Sequence, residues 1–204
     1  TAASVTGGSD TGLVAGVAYE RPEIALRVDL IYEAEASFSL ATTGGLLGAA
    51  TANTTASTPD YRTLNFQSGI AEDTLLYGSI RQADWSNHQV AVAPQTQAAP
   101  TSDFSDSTTY TIGIGRKISD EWSVTASYKT EESSENTGTS LLSPTDGYEA
   151  IGAAAIYTLA NGTEITVGVN YSMLGDKTVT SSELSGLYSD NTVVTSGIKV
   201  AYNF

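Results

Sequence analysis

A two-residue period of apolar and polar side chains, sustained over segments of about ten residues, limits this chain more than any other feature. A strand sends successive side chains to opposite faces, so such a period builds a sheet with one apolar and one polar side. In Val193–Phe204, Val194, Ser196, Ile198, Val200, Tyr202 and Phe204 share one face, and Val193, Thr195, Gly197, Lys199, Ala201 and Asn203 share the other. In Glu164–Met173, Ile165, Val167, Val169, Tyr171 and Met173 oppose Thr166, Gly168, Asn170 and Ser172. Trp122, Val124, Ala126 and Tyr128 oppose Ser123, Thr125, Ser127 and Lys129. Ile24, Leu26, Val28, Leu30 and Tyr32 oppose Ala25, Arg27, Asp29, Ile31 and Glu33, and Leu13, Ala15, Val17 and Tyr19 oppose Val14, Gly16, Ala18 and Glu20. Less regular stretches at about 61–71, 74–89, 107–118 and 147–159 bring the expected total to about nine strands.

The connections decide between a soluble sandwich and a membrane barrel. Short links at 20–23, 71–73, 119–121 and 160–163 take turns with long ones at about 41–60, 91–107, 133–146 and 176–191, which are rich in Ser, Thr, Asp, Asn and Gly. Short turns at one end and long loops at the other mark outer-membrane barrels, whereas a sandwich has no reason to sort its loops. Tyr19, Tyr32, Trp85, Trp122, Tyr157, Tyr171 and Tyr202 fall near strand ends, where interfacial girdles would place them. The expected fold is therefore all-β, a transmembrane antiparallel β-barrel forming one domain over residues 1–204, in the outer membrane of a Gram-negative bacterium. Its surroundings would be lipid and lipopolysaccharide, and the aromatic Phe204 on an amphipathic last strand resembles the signal read by the barrel assembly machinery.

Composition removes other classes. With 9 basic and 23 acidic residues the net charge is −14, which argues against nucleic acid. The absence of Cys excludes disulfide frameworks and thiolate metal sites. No apolar run reaches the length of a spanning helix. Barrels hide their apolar content in alternation, so an ordinary mean hydropathy does not count against one. Residues 1–12 lack the pattern of a signal peptide.

Bacterial single-chain barrels have even strand numbers and both termini on the periplasmic side. Counting back from Phe204, the first strand at 11–20 starts at the outer face and Thr1–Thr11 reads as the end of an extracellular loop. Either a weak strand lies in an unexpected place or the chain is the later part of a longer barrel, and the second is the preferred expectation.

Residues 12–22 (GLVAGVAYERP) followed by Ile24–Arg27, residues 64–70 (LNFQSGI) leading to 83–86 (ADWS), residues 109–115 (TYTIGIG) before Trp122, and the terminal YNF are similar to strands of the FadL family. That family comprises outer-membrane transporters of long-chain fatty acids and other hydrophobic compounds. The resemblance covers nearly the whole chain and implies a fourteen-stranded barrel, of which about nine strands are seen here. It implies passive uptake of a hydrophobic small molecule that leaves sideways into the bilayer. The amino-terminal hatch and kinked early strand of the family have no counterpart in these residues.

Arg27, Asp29 and Glu33 on one strand, and Lys129 and Lys199 on others, fall on the inferred lumen face; Arg81 has no assigned face. Charge at membrane depth must point inward, since lipid exposure of Arg or Lys at midplane costs roughly 2–4 kcal/mol. A basic lumen residue could steer a carboxylate headgroup, but a structural ion-pair network is the preferred reading. His88 follows Asp84 by four residues, which on a strand means about 13 Å. No nucleophile motif accompanies them, so no catalytic residue is expected. A single imidazole makes a metal site unexpected, and no cofactor is implied. Acidic loop residues (Asp103, Asp106, Glu131, Glu132, Glu135, Asp176, Glu183, Asp190) read as solvated charge without the spacing of a calcium loop. Gly113, Gly115, Gly152 and Gly168 lie inside strands and reflect close packing or bending rather than phosphate binding. Leu46, Leu47, Leu141 and Leu142 place apolar pairs in polar loops. Three rival readings are a general diffusion porin, a structural or adhesive barrel, and a soluble extracellular β-protein.

Overall fold

The computed structural model describes residues 3–47, 50–93, 100–133, 137–143, 145–180 and 185–202. Phe204, Asn203, Glu135 and Glu183, and the side chain of Leu46, lie outside the described residues. The strands in chain order are β1 (Ala3–Thr6), β2 (Val14–Arg21), β3 (Leu26–Glu33), β4 (Ala36–Gly44), β5 (Thr51–Thr58), β6 (Tyr61–Ala71), β7 (Thr74–Ala83) and β8 (Ser107–Lys117). They continue with β9 (Trp122–Glu131), β10 (Thr137–Gly138), β11 (Tyr148–Thr158), β12 (Glu164–Leu174), β13 (Lys177–Thr180), β14 (Ser185–Tyr188) and β15 (Thr192–Ala201).

Nine of these form one sheet in the order β15-β12-β11-β9-β8-β7-β6-β3-β2, every pair antiparallel and each long strand beside its chain neighbour. They correspond to the nine segments expected from alternation. β7 is shorter than the 74–89 stretch, because a single 3-10 turn at Trp85–Asn87 ends it. Tight turns close the short links. Asp73 takes a left-handed conformation (φ 54°) between β6 and β7, and Gly162 does so (φ 80°) between β11 and β12. Pro22 opens a 3-10 turn between β2 and β3, where its fixed φ and missing N–H cost nothing.

The long links are more ordered than their polar composition suggests. The stretch expected as a loop at 41–60 lies largely within a second hairpin, β4 paired with β5, to which β1 adds a third strand. Its inward positions are held by polar pairing: the Thr42 and Thr54 hydroxyls hydrogen-bond at 2.6 Å in a buried position. A further three-stranded patch joins β10, β13 and β14.

Fractional exposure is inverted relative to a globular protein. Among the described residues only Ala83, Ala91, Ala150 and Val179 are buried hydrophobics. Val167 and Val169 are 51% and 50% exposed, with Ile112, Ile151, Val194 and Ile198 exposed in the same way. The polar positions between them, such as Thr125, Ser127, Thr166 and Asn170, are half-buried. Among the described residues no second protein layer covers the apolar face, as a soluble sandwich would require. At the turn end Trp122 packs on Tyr157, ring centroids 4.8 Å apart, and Tyr202 is exposed nearby along the same edge. Trp85 departs from the expected girdle. The 3-10 turn folds it into an edge-to-face cluster with Tyr61 and Phe104 at the loop end.

Candidate functional site

Strand register assembles the polar face in rows. One row runs Glu20, Arg27, Gln67, Tyr77, Gly113, Ser127, Gly152, Asn170, Thr195; the next toward the loops runs Asp29, Asn65, Ser79, Thr111, Lys129, Ala150, Ser172. All six charged residues singled out from sequence sit on this face. Register resolves Arg81, which aligns with Ile31, Thr63, Thr109 and Glu131.

The charges fall into two groups. Arg27 donates from Nε to Asp29 Oδ2 at 3.0 Å and pairs with Glu20, while Asn65 Nδ2 donates to Asp29 Oδ1 at 2.8 Å. Both Asp29 oxygens are thereby satisfied, and the residue is 8% exposed. Arg81 lies 4.0 Å from Glu33 and stacks its guanidinium 3.9 Å above the Tyr61 ring. These four form wall-bracing pairs across β2, β3, β6 and β7. Lys129 sits 5.3 Å over the Tyr148 ring. Lys199 has no acidic partner among the described residues.

Lys199 borders a recess of ≈ 510 Å³ whose floor is made of Gly152, Gly168 and Gly197. A Cβ at Gly197 would meet nothing within 4 Å, and one at Gly168 only ordinary contacts. At Gly168 and Gly197 the missing side chains therefore create open space, whereas a Cβ at Gly152 would stand 2.9 Å from the Ser127 hydroxyl. Gly113 is different: its Cβ would stand 2.3 Å from the Tyr77 ring, which lies across it to hydrogen-bond the Thr125 hydroxyl at 2.7 Å. Close packing explains Gly113, and an open groove explains Gly168 and Gly197.

A second recess, ≈ 540 Å³, lies toward the short turns and is lined by Ala25, Gly69, Leu75, Tyr77, Gly115 and Ile156 among others. A register shift between Gly69 and Ala71 bends β6 there. Leu75 and Ile156 are apolar side chains on the polar face, breaking the alternation. That break was the available sequence signal, and it went unused because β7 and β11 are the less regular strands.

Most loop carboxylates are tied into local structure. Asp103 accepts from the Thr139 amide and hydroxyl, Asp176 from the Asp190 amide, and Glu131 from the Thr109 hydroxyl at 2.8 Å. Asp106 accepts the Ser86 amide, a contact that holds its carboxyl below the usual range. Leu141 and Leu142 are exposed. The strand spacing expected for Asp84 and His88 does not hold. The Trp85–Asn87 turn doubles the chain back, and a carboxylate oxygen of Asp84 lies within 4.8 Å of a ring nitrogen of His88.

No family model and no curated protein matches the chain by sequence. Solved structures match it by fold. A Pseudomonas aeruginosa FadL homologue superposes with a TM-score of 0.67 at 16% identity, covering 93% of this chain and 50% of that one. The CymD monoaromatic hydrocarbon channel gives 0.60 at 12% identity over 96% of this chain and 51% of its own. The P. putida toluene transporter TodX gives 0.60 at 14%, over 94% and 48%. The chain spans about half the length of each. What it shares with all three is the fold, which is that of the FadL-type outer-membrane β-barrels.

Proposed function

We propose that this chain forms part of an outer-membrane channel of a Gram-negative bacterium for passive uptake of hydrophobic small molecules, and that it carries out no covalent chemistry. The observation that carries this reading is the pair of recesses on the polar face, one glycine-floored and one lined by Leu75 and Ile156, behind a wall whose other face is apolar and uncovered. A channel for greasy solutes needs apolar resting places along an interior path, and pockets of several hundred Å³ suit ligands of that class. The hydrocarbon channels sharing the fold support the same class of solute. Arg27, Asp29, Glu33 and Arg81 brace the wall, which leaves Lys199, and less directly Lys129, of those six to meet a carboxylate headgroup, beside Arg116 and Lys117 at the second recess. Long-chain fatty acids are therefore within the proposed range. The remaining strands of a closed barrel, a plug, an exit into the bilayer, and contacts with lipopolysaccharide and the assembly machinery belong to the same proposal.

The test is flux into proteoliposomes. A neutral aromatic hydrocarbon and a long-chain carboxylate should both enter faster than a sugar of similar size. Lys199→Glu should slow the carboxylate several-fold and leave the hydrocarbon unchanged. Equal flux of sugar and hydrocarbon would make the protein a general diffusion porin, and no flux of either a structural barrel.

A further inference from the structure

The single histidine stands at the loop end of the sheet, 6% exposed, among carboxylates that arrive from three different connections. Glu35 comes from the β3–β4 link, Asp60 from the β5–β6 link, Asp84 from the end of β7, and Asp106 from just before β8. One oxygen each of Asp60 and Asp84 and one ring nitrogen of His88 all lie within 4.8 Å of one another. His88 Nε2 is 3.6 Å from Glu35 Oε2, and Asp106 sits against Asp84. Arg62, paired with Asp60 at 2.7 Å, is the one fixed cation bonded to this group among the described residues. Four carboxylates against one guanidinium leave a strong excess of negative charge in a half-covered place.

The histidine itself supplies the observation that acidic clusters usually lack. Its Nδ1 is 2.9 Å from the Ser57 hydroxyl, a contact that fixes the ring. Its other nitrogen makes no hydrogen bond among the described residues: 3.6 Å to the Glu35 oxygen exceeds hydrogen-bond range. A buried imidazole held by a hydroxyl on one nitrogen, with the other facing a carboxylate beyond hydrogen-bond distance, matches a metal-ligating histidine and its outer-shell partner. Imidazole and carboxylate together suit Zn²⁺, whose bonds of roughly 2.0–2.2 Å need donors about 3.3 Å apart. The side chains would close in by up to about 1.5 Å, with Asp60 and Asp84, both half-buried, exchanging contacts to Arg62 and Asn87 for the metal. We propose that His88, Asp60 and Asp84, with Glu35 in reach, bind a divalent transition-metal ion that clamps the β3–β4, β5–β6 and β7–β8 connections together at the loop end. The proposal is independent of what crosses the barrel.

The test uses the detergent-purified protein, freed of metal with a chelator and titrated with Zn²⁺ by calorimetry. One equivalent should bind, and His88→Gln and Asp84→Asn should each weaken binding tenfold or more. Glu132→Gln, outside the cluster, should bind as the parent does. Faster gel mobility of unheated samples shows that each variant is folded, and Asp60→Asn replaces any that is not. Bound Zn²⁺ should also slow proteolysis within 84–93. No heat of binding, or binding indifferent to both His88→Gln and Asp84→Asn, overturns the proposal. Protection of 84–93 by acidification alone, with no effect of Zn²⁺, also overturns it and makes the cluster a proton site.

Discussion

Val169 is the position where the membrane reading is most exposed to refutation. It is the middle residue of β12 (Glu164–Leu174), on the apolar face and 50% exposed. Eleven residues rising about 3.4 Å each and tilted about 45° span roughly 26 Å, close to the apolar band of a barrel, so Val169 falls near midplane. Val169→Arg should therefore cost roughly 2–4 kcal/mol, a change of about thirty- to seven-hundred-fold in the unfolding equilibrium. Gly197→Arg is the matched control. Gly197 pairs with Gly168, the residue next to Val169, and lies on the polar face with nothing within 4 Å of its Cβ direction. At the same depth but facing the interior, that arginine should cost less than about 1 kcal/mol, as surface substitutions do. Urea unfolding in short-chain phosphatidylcholine vesicles, followed by tryptophan emission, measures both. Equal cost for the two variants, or a neutral Val169→Arg, would refute the assignment of faces and with it the lipid-facing wall.

Gly113→Val should displace Tyr77 and break its bond to Thr125, destabilising by about 1–3 kcal/mol; in a Tyr77→Ala background the same change should cost much less, which a double-mutant cycle in the same unfolding assay reads out. Asp10 accepts the Ser37 amide at 2.7 Å and the Thr11 amide at 2.8 Å, and these bonds, the Ser37 one foremost, lower its pKa below 3.8. A carboxyl lowered on folding stabilises above its unfolded pKa and loses that contribution as pH falls through the folded value. Hydrogen exchange at Ser37 should thus show the contact intact at pH 5 and above (well clear of the ordinary carboxylate range of about 4) and released under stronger acid, with Asp10→Asn removing the dependence.

The nine long strands and their two faces were legible in the sequence because a two-residue period is a local property. Ile165, Val167 and Val169 declare their side within five residues, and a register slip of one would turn them all inward. The sorting of short and long connections was equally local, and it separated barrel from sandwich without a coordinate. The β4–β5 hairpin was not legible: Thr42 and Thr54 hold its inward face by hydroxyl pairing, and Ser/Thr alternation carries little hydrophobic signal. What Arg81 faces depended on register with β6, which brings Glu33 and Tyr61 beneath it. Whether a strand glycine packs or opens a groove likewise depended on a neighbour: Tyr77 covers Gly113, and nothing covers Gly197.

Sequence alone determined the nine strands of the main sheet, the chemistry of each face and the order of their connections, since each follows from residues adjacent in the chain. Tertiary structure decided which residues meet: the Arg27–Asp29–Asn65 brace, the glycine-floored recess beside Lys199, and the gathering of Glu35, Asp60, Asp84 and His88. Those contacts join residues up to tens of positions apart across antiparallel ladders. Only the pairing of strands, with a turn at Trp85–Asn87 that no periodicity announces, fixes them.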